Sequence, residues 1–342
     1  MLTELAARAR ARLDPAHWDF FAGGAGDERT LRANEEAFQR LRLVPRVLRA
    51  TGPRDLRTTL FGTELSAPLL VAPTAFHRLA HPDGELATAR GAAAAGTVLV
   101  VSMAATTPIE DIAAAGGPLW FQLYPQPDLA FTAAVVRRAE RAGCRALMVT
   151  ADSPVFGRRE RDRRNGFTDL PDGLVCENMR DDTGRVRDIV MDARLGWDRI
   201  DWLRGVTGLP IVVKGLLHPA DAQLAIEHGA CAVLVSNHGG RQLDGALPTV
   251  DALPAVVKAV GGRLPILLDG GIRCGADIVA ALALGAAAVL VGRPVLWGLA
   301  AAGSDGVRQV LDLLREDLDR ALALVGVRRP ADLTGDLVAA PC

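Results

Sequence analysis

Val233-Leu234-Val235-Ser236-Asn237-His238-Gly239-Gly240-Arg241-Gln242-Leu243-Asp244 is an apolar run that breaks at once into polar residues and a glycine pair. A short, wholly apolar run is the pattern of a strand buried on both faces, and such strands belong to parallel sheets covered by helices. The break delivers a histidine, and three residues later an arginine, to the strand's end. Imidazole has an unperturbed pKa near neutrality and suits proton abstraction. Guanidinium is a planar fork matched to carboxylate or phosphate. Gly239 and Gly240 let the backbone turn sharply and let a flat ligand come close. Taken alone, His238 reads more readily as a loop histidine hydrogen-bonded for structure; its strand-end setting reverses that reading.

The same pattern recurs along the chain. Pro68–Ala72, Val98–Ser102, Leu119–Tyr124, Ala146–Thr150, Pro210–Lys214, Ala232–Ser236, Ile266–Asp269 and Ala288–Gly292 read as buried strands. Helical stretches lie between them: Gly84–Ala95, Ile109–Ala114, Leu129–Ala142, Pro219–His228, Val250–Val260 and Gly275–Leu284. Eight strands with helical crossovers predict an α/β fold of the (β/α)8 TIM-barrel type. A doubly wound open sheet is the alternative. It is weakened because no G-x-G-x-x-G follows the first strand and no Walker-type loop appears.

In a barrel the site lies at the strands' C-terminal ends. Those ends carry Pro73-Thr74-Ala75, then Ser102 with Ala104, Gln122 with Tyr124, and Thr150 with Asp152 and Arg159. The later strands add Lys214, then Ser236, His238 and Arg241, then Asp269, Gly271 and Arg273, and last Gly292 and Arg293. One polar strand end is ordinary; nearly all eight together make a site. Glycine turns after strands 7 and 8 are where such barrels bind phosphate, with Arg273 and Arg293 adding charge unless one of them pairs with a carboxylate. Ser102, Gln122 and Thr150 supply hydrogen bonds to the edges of something planar, and Lys214 supplies a cation, which is a flavin-like inventory.

Composition narrows the classes. The chain has 342 residues, 49% hydrophobic and 23% charged, with a formal net charge of −1, so nucleic acid is not the expected partner. Cys144, Cys176, Cys231, Cys274 and Cys342 are scattered, with no spacing for zinc or a disulfide framework, and no metal site is expected. The N-terminus has no apolar signal core and no run is long enough to span a membrane, which predicts a cytoplasmic protein. The only lysines are Lys214 and Lys258 and the only tyrosine is Tyr124. Both Lys214 and Tyr124 stand at strand ends.

The whole chain, 1–342, reads as a single domain. Residues 1–66 form three helices (Leu2–Leu13, Pro15–Ala22 and Asp27–Arg42, the last capped by Asp27 or Thr30) and a short hairpin at Thr58 and Thr59. Residues 155–197 interrupt the rhythm, are rich in charge, and read as a lid or a solvated excursion. Val307–Leu324 is an amphipathic helix expected to pack on the barrel or on a neighbouring subunit.

The residues also carry a resemblance. APTA at Ala72–Ala75, HPDGE at His81–Glu85, FQLY at Phe121–Tyr124, TADSP at Thr150–Pro154, GRRE at Gly157–Glu160, VKG at Val213–Gly215, SNHGGRQLD at Ser236–Asp244, LDGGIR at Leu268–Arg273 and GRP at Gly292–Pro294 resemble the FMN-dependent α-hydroxy-acid oxidases and dehydrogenases over nearly the whole length. The resemblance implies oxidation of an (S)-2-hydroxy acid to the 2-keto acid. His238 would be the base, Asp152 its electrostatic partner and Tyr124 the hydrogen-bond partner of the reacting hydroxyl. Arg241, helped by Arg159, would bind the carboxylate. Lys214 would stabilise the reduced flavin; Pro73, Thr74, Ala75, Ser102, Gln122, Thr150 and Ser236 would line its ring or ribityl chain. Asp269, Gly271, Arg273, Gly292 and Arg293 would hold ribityl and phosphate. It also implies a homotetramer.

Two departures bear on the substrate. Phe20 stands where the family pattern has a carboxylate-binding tyrosine, and phenylalanine cannot donate. Ala104 stands where plant glycolate oxidases have tryptophan, leaving room for a larger side group. The stretch around Phe20 is similar to the 4-hydroxymandelate oxidase branch, so a mandelate-type acid is expected over lactate or glycolate. Ala75 fits the oxidases, so O2 is the expected acceptor. An FMN-barrel isomerase would need no carboxylate-binding arginine, and a non-catalytic flavin binder would need no His238, Asp152, Arg241 and Tyr124 together.

Overall fold

The computed structural model describes residues 2–339; Met1 and residues 340–342, Cys342 among them, lie outside the described residues. All eight expected strands form: β1 (Leu69–Val71), β2 (Leu99–Ser102), β3 (Leu119–Leu123), β4 (Leu147–Thr150), β5 (Ile211–Leu216), β6 (Ala232–Val235), β7 (Ile266–Leu268) and β8 (Ala288–Val291). Each pairs in parallel with the next, and β8 closes on β1 through Val289 opposite Leu69, completing a (β/α)8 barrel. The open-sheet alternative is thereby excluded.

Why these runs carry almost no polar residues follows from the packing. Alternate side chains point in and out. Leu70, Val100, Trp120, Met148, Val212, Leu234, Leu267 and Leu290 fill the barrel's interior. Their neighbours Val71, Val101, Phe121, Val149, Val213, Val235 and Leu268 face the surrounding helices. Burying each such side chain contributes roughly 1.5–3 kcal/mol. The hairpin of Thr58–Leu60 and Thr63–Leu65 drops Leu60 and Leu65 into the inner cluster, with Phe61 5.4 Å from Trp120. It stoppers the N-terminal mouth, so the opposite mouth is the open one.

The N-terminal helices run Leu2–Arg12, Pro15–Ala22 and Arg29–Arg40. The third differs from expectation at its start. Neither Asp27 nor Thr30 caps it: Glu28 sits at the cap in a left-handed conformation, and the Asp244 carboxylate accepts from the N–H groups of Asp27 (3.0 Å) and Thr30 (2.9 Å). The cap is supplied from 214 residues away.

Residues 155–197 hold a short helix, Glu160–Arg164, and a single turn, Glu177–Met179. Helix Asp198–Val206, which the sequence reading passed over, follows; only Ile200 and Leu203 of it are buried, too little apolar rhythm to stand out. The last long helix runs from Arg293 to Val325 with a kink at Ala302–Gly303. Its buried stripe of Val307, Val310, Leu311, Leu314, Leu318 and Leu322 packs within this chain, against helices Leu2–Arg12, Gly84–Ala94 and Gly275–Ala283. Val338–Ala339 pairs antiparallel with Arg42–Leu43. No described helix is long and apolar enough to cross a membrane.

Candidate active site

The turn after β6 is held in an unusual shape. His238 has φ +60°, in the left-handed region that costs a non-glycine residue of order 1 kcal/mol or more. A network supports it. The Asn237 and Asn34 amides exchange hydrogen bonds of 2.7 and 2.9 Å. The Asn237 amide also donates to the Leu247 carbonyl (3.1 Å), while its oxygen accepts from the Gly240 N–H (3.1 Å). Gly240 is required here, because a Cβ would lie 2.6 Å from the Leu31 nitrogen. Asn34 was not singled out from the sequence; a polar residue on an amphipathic helix carries no local sign of a partner 203 residues away.

This turn points the imidazole into the open mouth. Nδ1 lies 3.0 and 3.3 Å from the two Asp152 carboxylate oxygens. With the proton on Nδ1 shared with Asp152, the Nε2 lone pair faces the Tyr124 hydroxyl at 3.3 Å. Burial and the Lys214 charge lower the His238 pKa below the usual imidazole range, against the pull of Asp152. Burial alone would raise the Asp152 carboxyl, but the charges of Lys214 and His238 outweigh it and hold it well below the carboxylate range. Burial, reinforced by the Asp152 charge, raises the Tyr124 phenol, so it stays protonated.

Arg241 leaves the same turn and donates to the backbone carbonyls of Phe20 (2.6 Å) and Gly23 (3.1 Å). Among the described residues no carboxylate pairs with it. Burial and the neighbouring charges of Arg159 and Arg293 pull its guanidinium down to about 9. An arginine so placed is suited to binding an anion. Phe20 is buried with its ring under two cations: the guanidinium carbons of Arg241 and Arg159 lie 4.9 and 5.7 Å from its centroid. Phe20 thus keeps the arginines in place through its π face rather than offering a hydroxyl. Arg159 is itself paired with Asp162 at 2.5 Å.

These groups share one cavity of about 750 Å³ with the other strand ends. Its walls include Pro73, Thr74 and Ala75 after β1, Ser102 at the end of β2 with Ala104 beyond it, Gln122 on β3 with Tyr124 just after it, Thr150 on β4, and Lys214 on β5. Asp269, Gly271 and Arg273 after β7, and Gly292 and Arg293 after β8, complete them. Two expected residues stand off the wall. Asp152 lies behind His238. Ser236 is fully buried, and its hydroxyl accepts from the His238 N–H at 3.1 Å, so it supports the turn instead of lining the cavity.

The chemistry of the walls suits FMN. Among the described residues no group hydrogen-bonds the buried Asp269 Oδ1, and burial raises this carboxyl's pKa, so a ribityl hydroxyl would satisfy it. Ser102, Gln122 and Thr150 form a hydrogen-bonded chain (3.1 and 3.0 Å) along one side. Gly271 has φ +92° and no room for a Cβ, which would meet the Asn34 carbonyl at 2.2 Å. Of the two expected phosphate arginines, Arg273 pairs with Glu35 at 2.7 Å and lies over Trp297. Arg293 donates only to carbonyls, including that of Gly23 at 2.8 Å, and is pulled down to about 10 by burial and the Arg273 charge. Of the two, Arg293 is the one with no carboxylate partner among the described residues.

Residues 9–340 match the family described as FMN-dependent dehydrogenase. The chain is 46% identical to an L-lactate oxidase of Nostoc sp., covering 95% of this chain and 94% of that protein. It is 43% identical to the glycolate oxidase of Spinacia oleracea, covering 99% and 95%. Structures of mandelate oxidase with (S)-2-phenylpropionate and with benzoyl-formic acid each superpose with a TM-score of 0.92 at 45% identity, covering 98% of this chain and 96% of theirs.

Proposed function

The chain belongs to the FMN-dependent dehydrogenase family, and from that premise we propose that it oxidises an aryl (S)-2-hydroxy acid of the mandelate type to the 2-keto acid, with O2 as acceptor and H2O2 as second product. The observation that carries this reading is one juxtaposition: His238, with Nδ1 on the Asp152 carboxylate at 3.0 Å and Nε2 3.3 Å from the Tyr124 hydroxyl, beside the buried guanidinium of Arg241.

Each residue then has a physical task. Arg241, with Arg159, binds the carboxylate and orients the α-carbon. Tyr124, neutral, hydrogen-bonds the α-hydroxyl. His238 Nε2 takes the substrate proton, and Asp152 at Nδ1 keeps the tautomer and stabilises the imidazolium that forms. FMN, when bound, would supply the two-electron acceptor for this oxidation. Lys214, Ser102, Gln122, Thr150, Thr74 and Ala75 would hold its ring, and Asp269, Gly271, Gly292 and Arg293, with Arg273 beside them, its ribityl and phosphate.

The aryl preference rests on the walls. Ala104 leaves space at the ring side, and Phe20, Phe76 and Phe167 make a continuous aromatic face, with centroids 5.2 and 5.1 Å apart across Phe20. Leu170, Leu174, Ile189 and Met191 of the 155–197 segment add an apolar roof. The deciding experiment is an anaerobic absorption spectrum of the FMN-loaded protein with mandelate, 4-hydroxymandelate, lactate and glycolate in turn. Bleaching by the aryl acids, reversed by air with release of H2O2, is expected. A flavin band that none of them bleaches rejects the function.

Two further results are expected. Ala104→Trp raises KM for mandelate about tenfold or more while glycolate changes little; equal losses for both would place the aryl group elsewhere. The acid limb of kcat/KM lies below the ordinary imidazole value of about 6.5, because the lowered pKa keeps His238 unprotonated to lower pH. A limb at or above pH 7 would remove His238 as the base.

A further inference from the structure

Gln242 follows Arg241 in the turn after β6, and its side chain reaches across to a different loop. Its amide nitrogen donates to the carbonyls of Asp152 (2.9 Å) and Val155 (3.1 Å). Its amide oxygen accepts from the N–H of Gly157 (2.8 Å). Both amide hydrogens and the oxygen are therefore engaged, all with backbone 85–90 residues away. The two loops lie flush: a Cβ on Gly157 would sit 2.2 Å from the Arg241 carbonyl oxygen.

What this amide ties together is the reaction's two halves. Upstream of the tie stands Asp152, on the His238 imidazole. Downstream stands Arg159, over the ring of Phe20 opposite Arg241. Among the described residues, no other hydrogen bond links the backbone of residues 153–157 to the rest of the protein. Pro154, Val155 and Phe156 are exposed, so apolar packing does little to hold this span. The chain is next fixed at Arg158, whose carbonyl accepts from the Gly26 N–H at 2.9 Å.

We propose that Gln242 is a positioning residue: its amide clamps the root of the 155–197 segment onto the Arg241 turn and so sets Arg159 against Arg241 at the distance a substrate carboxylate needs. The proposal rests on the 2-hydroxy-acid reading for its kinetic half only.

The test compares Gln242→Ala and Gln242→Met in the FMN-loaded protein, the second keeping the bulk of the side chain without its donors. With three neutral hydrogen bonds lost, KM for mandelate is expected to rise about tenfold or more while kcat falls by less than about threefold and FMN stays bound. Trypsin cleavage at Arg158, Arg159, Arg161, Arg163 or Arg164 is expected to accelerate about fivefold or more, since an unclamped root opens locally. If Gln242→Ala does not fold, Gln242→Met must give the same pattern. Unchanged KM with unchanged cleavage overturns the proposal. So does a uniform loss of kcat, FMN and melting temperature, the mark of a merely structural residue. If the parent protein turns over no 2-hydroxy acid, the function fails first, and the cleavage rates still decide whether Gln242 is the clamp.

Discussion

His238→Gln is expected to bind FMN as the parent protein does and to reduce it with mandelate at least about 10³-fold more slowly. The size follows from what the substitution removes. Glutamine fills much of the same space, with its amide near the Nε2 position, so the backbone contacts of the turn stay while the Nδ1 link to Asp152 is lost. It has no basic nitrogen with a lone pair facing Tyr124. General-base contributions of roughly 10²–10⁴ are the usual range, and the Asp152 pair places His238 at its upper end. A stopped-flow trace of flavin bleaching under nitrogen reads the effect directly. Bleaching at the parent rate would show that the proton leaves by another route and would end the assignment of His238. The left-handed backbone at this position adds a check: histidine tolerates this φ better than most residues do, so the variant's melting temperature should fall, by a few degrees at most.

Arg241→Met is expected to lower kcat/KM for mandelate by about 10³-fold, mostly through KM. A charge-assisted, desolvated contact to a carboxylate is typically worth 2–5 kcal/mol when one partner is removed, and methionine keeps the apolar length of the side chain. Stability should rise or hold. Burial and the charges of Arg159 and Arg293 hold the guanidinium at about 9, so its charge is unfavourable where it sits. Removing one of three crowded cations relieves that repulsion in the absence of substrate. A thermal melt and a Michaelis curve on the same preparation test both halves. A variant less stable by several degrees, with KM unchanged, would show instead that Arg241 serves as a structural brace for Phe20 and Gly23.

Much of this was legible before any coordinates. Strands buried on both faces cannot carry polar side chains, so each announced itself as an apolar run, and each active-side end as the point where that run stopped. The cavity gathers eighteen of the twenty expected site residues because the barrel brings all eight ends to one mouth. What stayed hidden was pairing at long range. Asn34, Gln242 and Asp244 each satisfy backbone or amide groups more than 80 residues away, and no local periodicity encodes a partner that far off. Ser236 was misplaced for a related reason: a strand-end hydroxyl looks the same whether it faces the ligand or folds back under the next residue. Arg273 and Arg293 look alike in sequence, and only the packing gives one of them Glu35.

The reciprocal amide pair between Asn34 and Asn237 also has a consequence in time. The helix bearing Asn34 leaves the ribosome long before its docking site, which does not exist until 203 residues later. At roughly 5–20 residues per second, that is a wait of about 10–40 s. Through that interval the amphipathic helix Arg29–Arg40 has nowhere to bury Ala37 and Phe38. The Asp244 cap arrives later still. These early helices are therefore among the last to settle, and the His238 turn takes its strained shape only when they return. The nascent chain thus carries an exposed apolar helix for most of its synthesis, a natural handhold for a chaperone, and cannot bind substrate until its own beginning has come back to close the site.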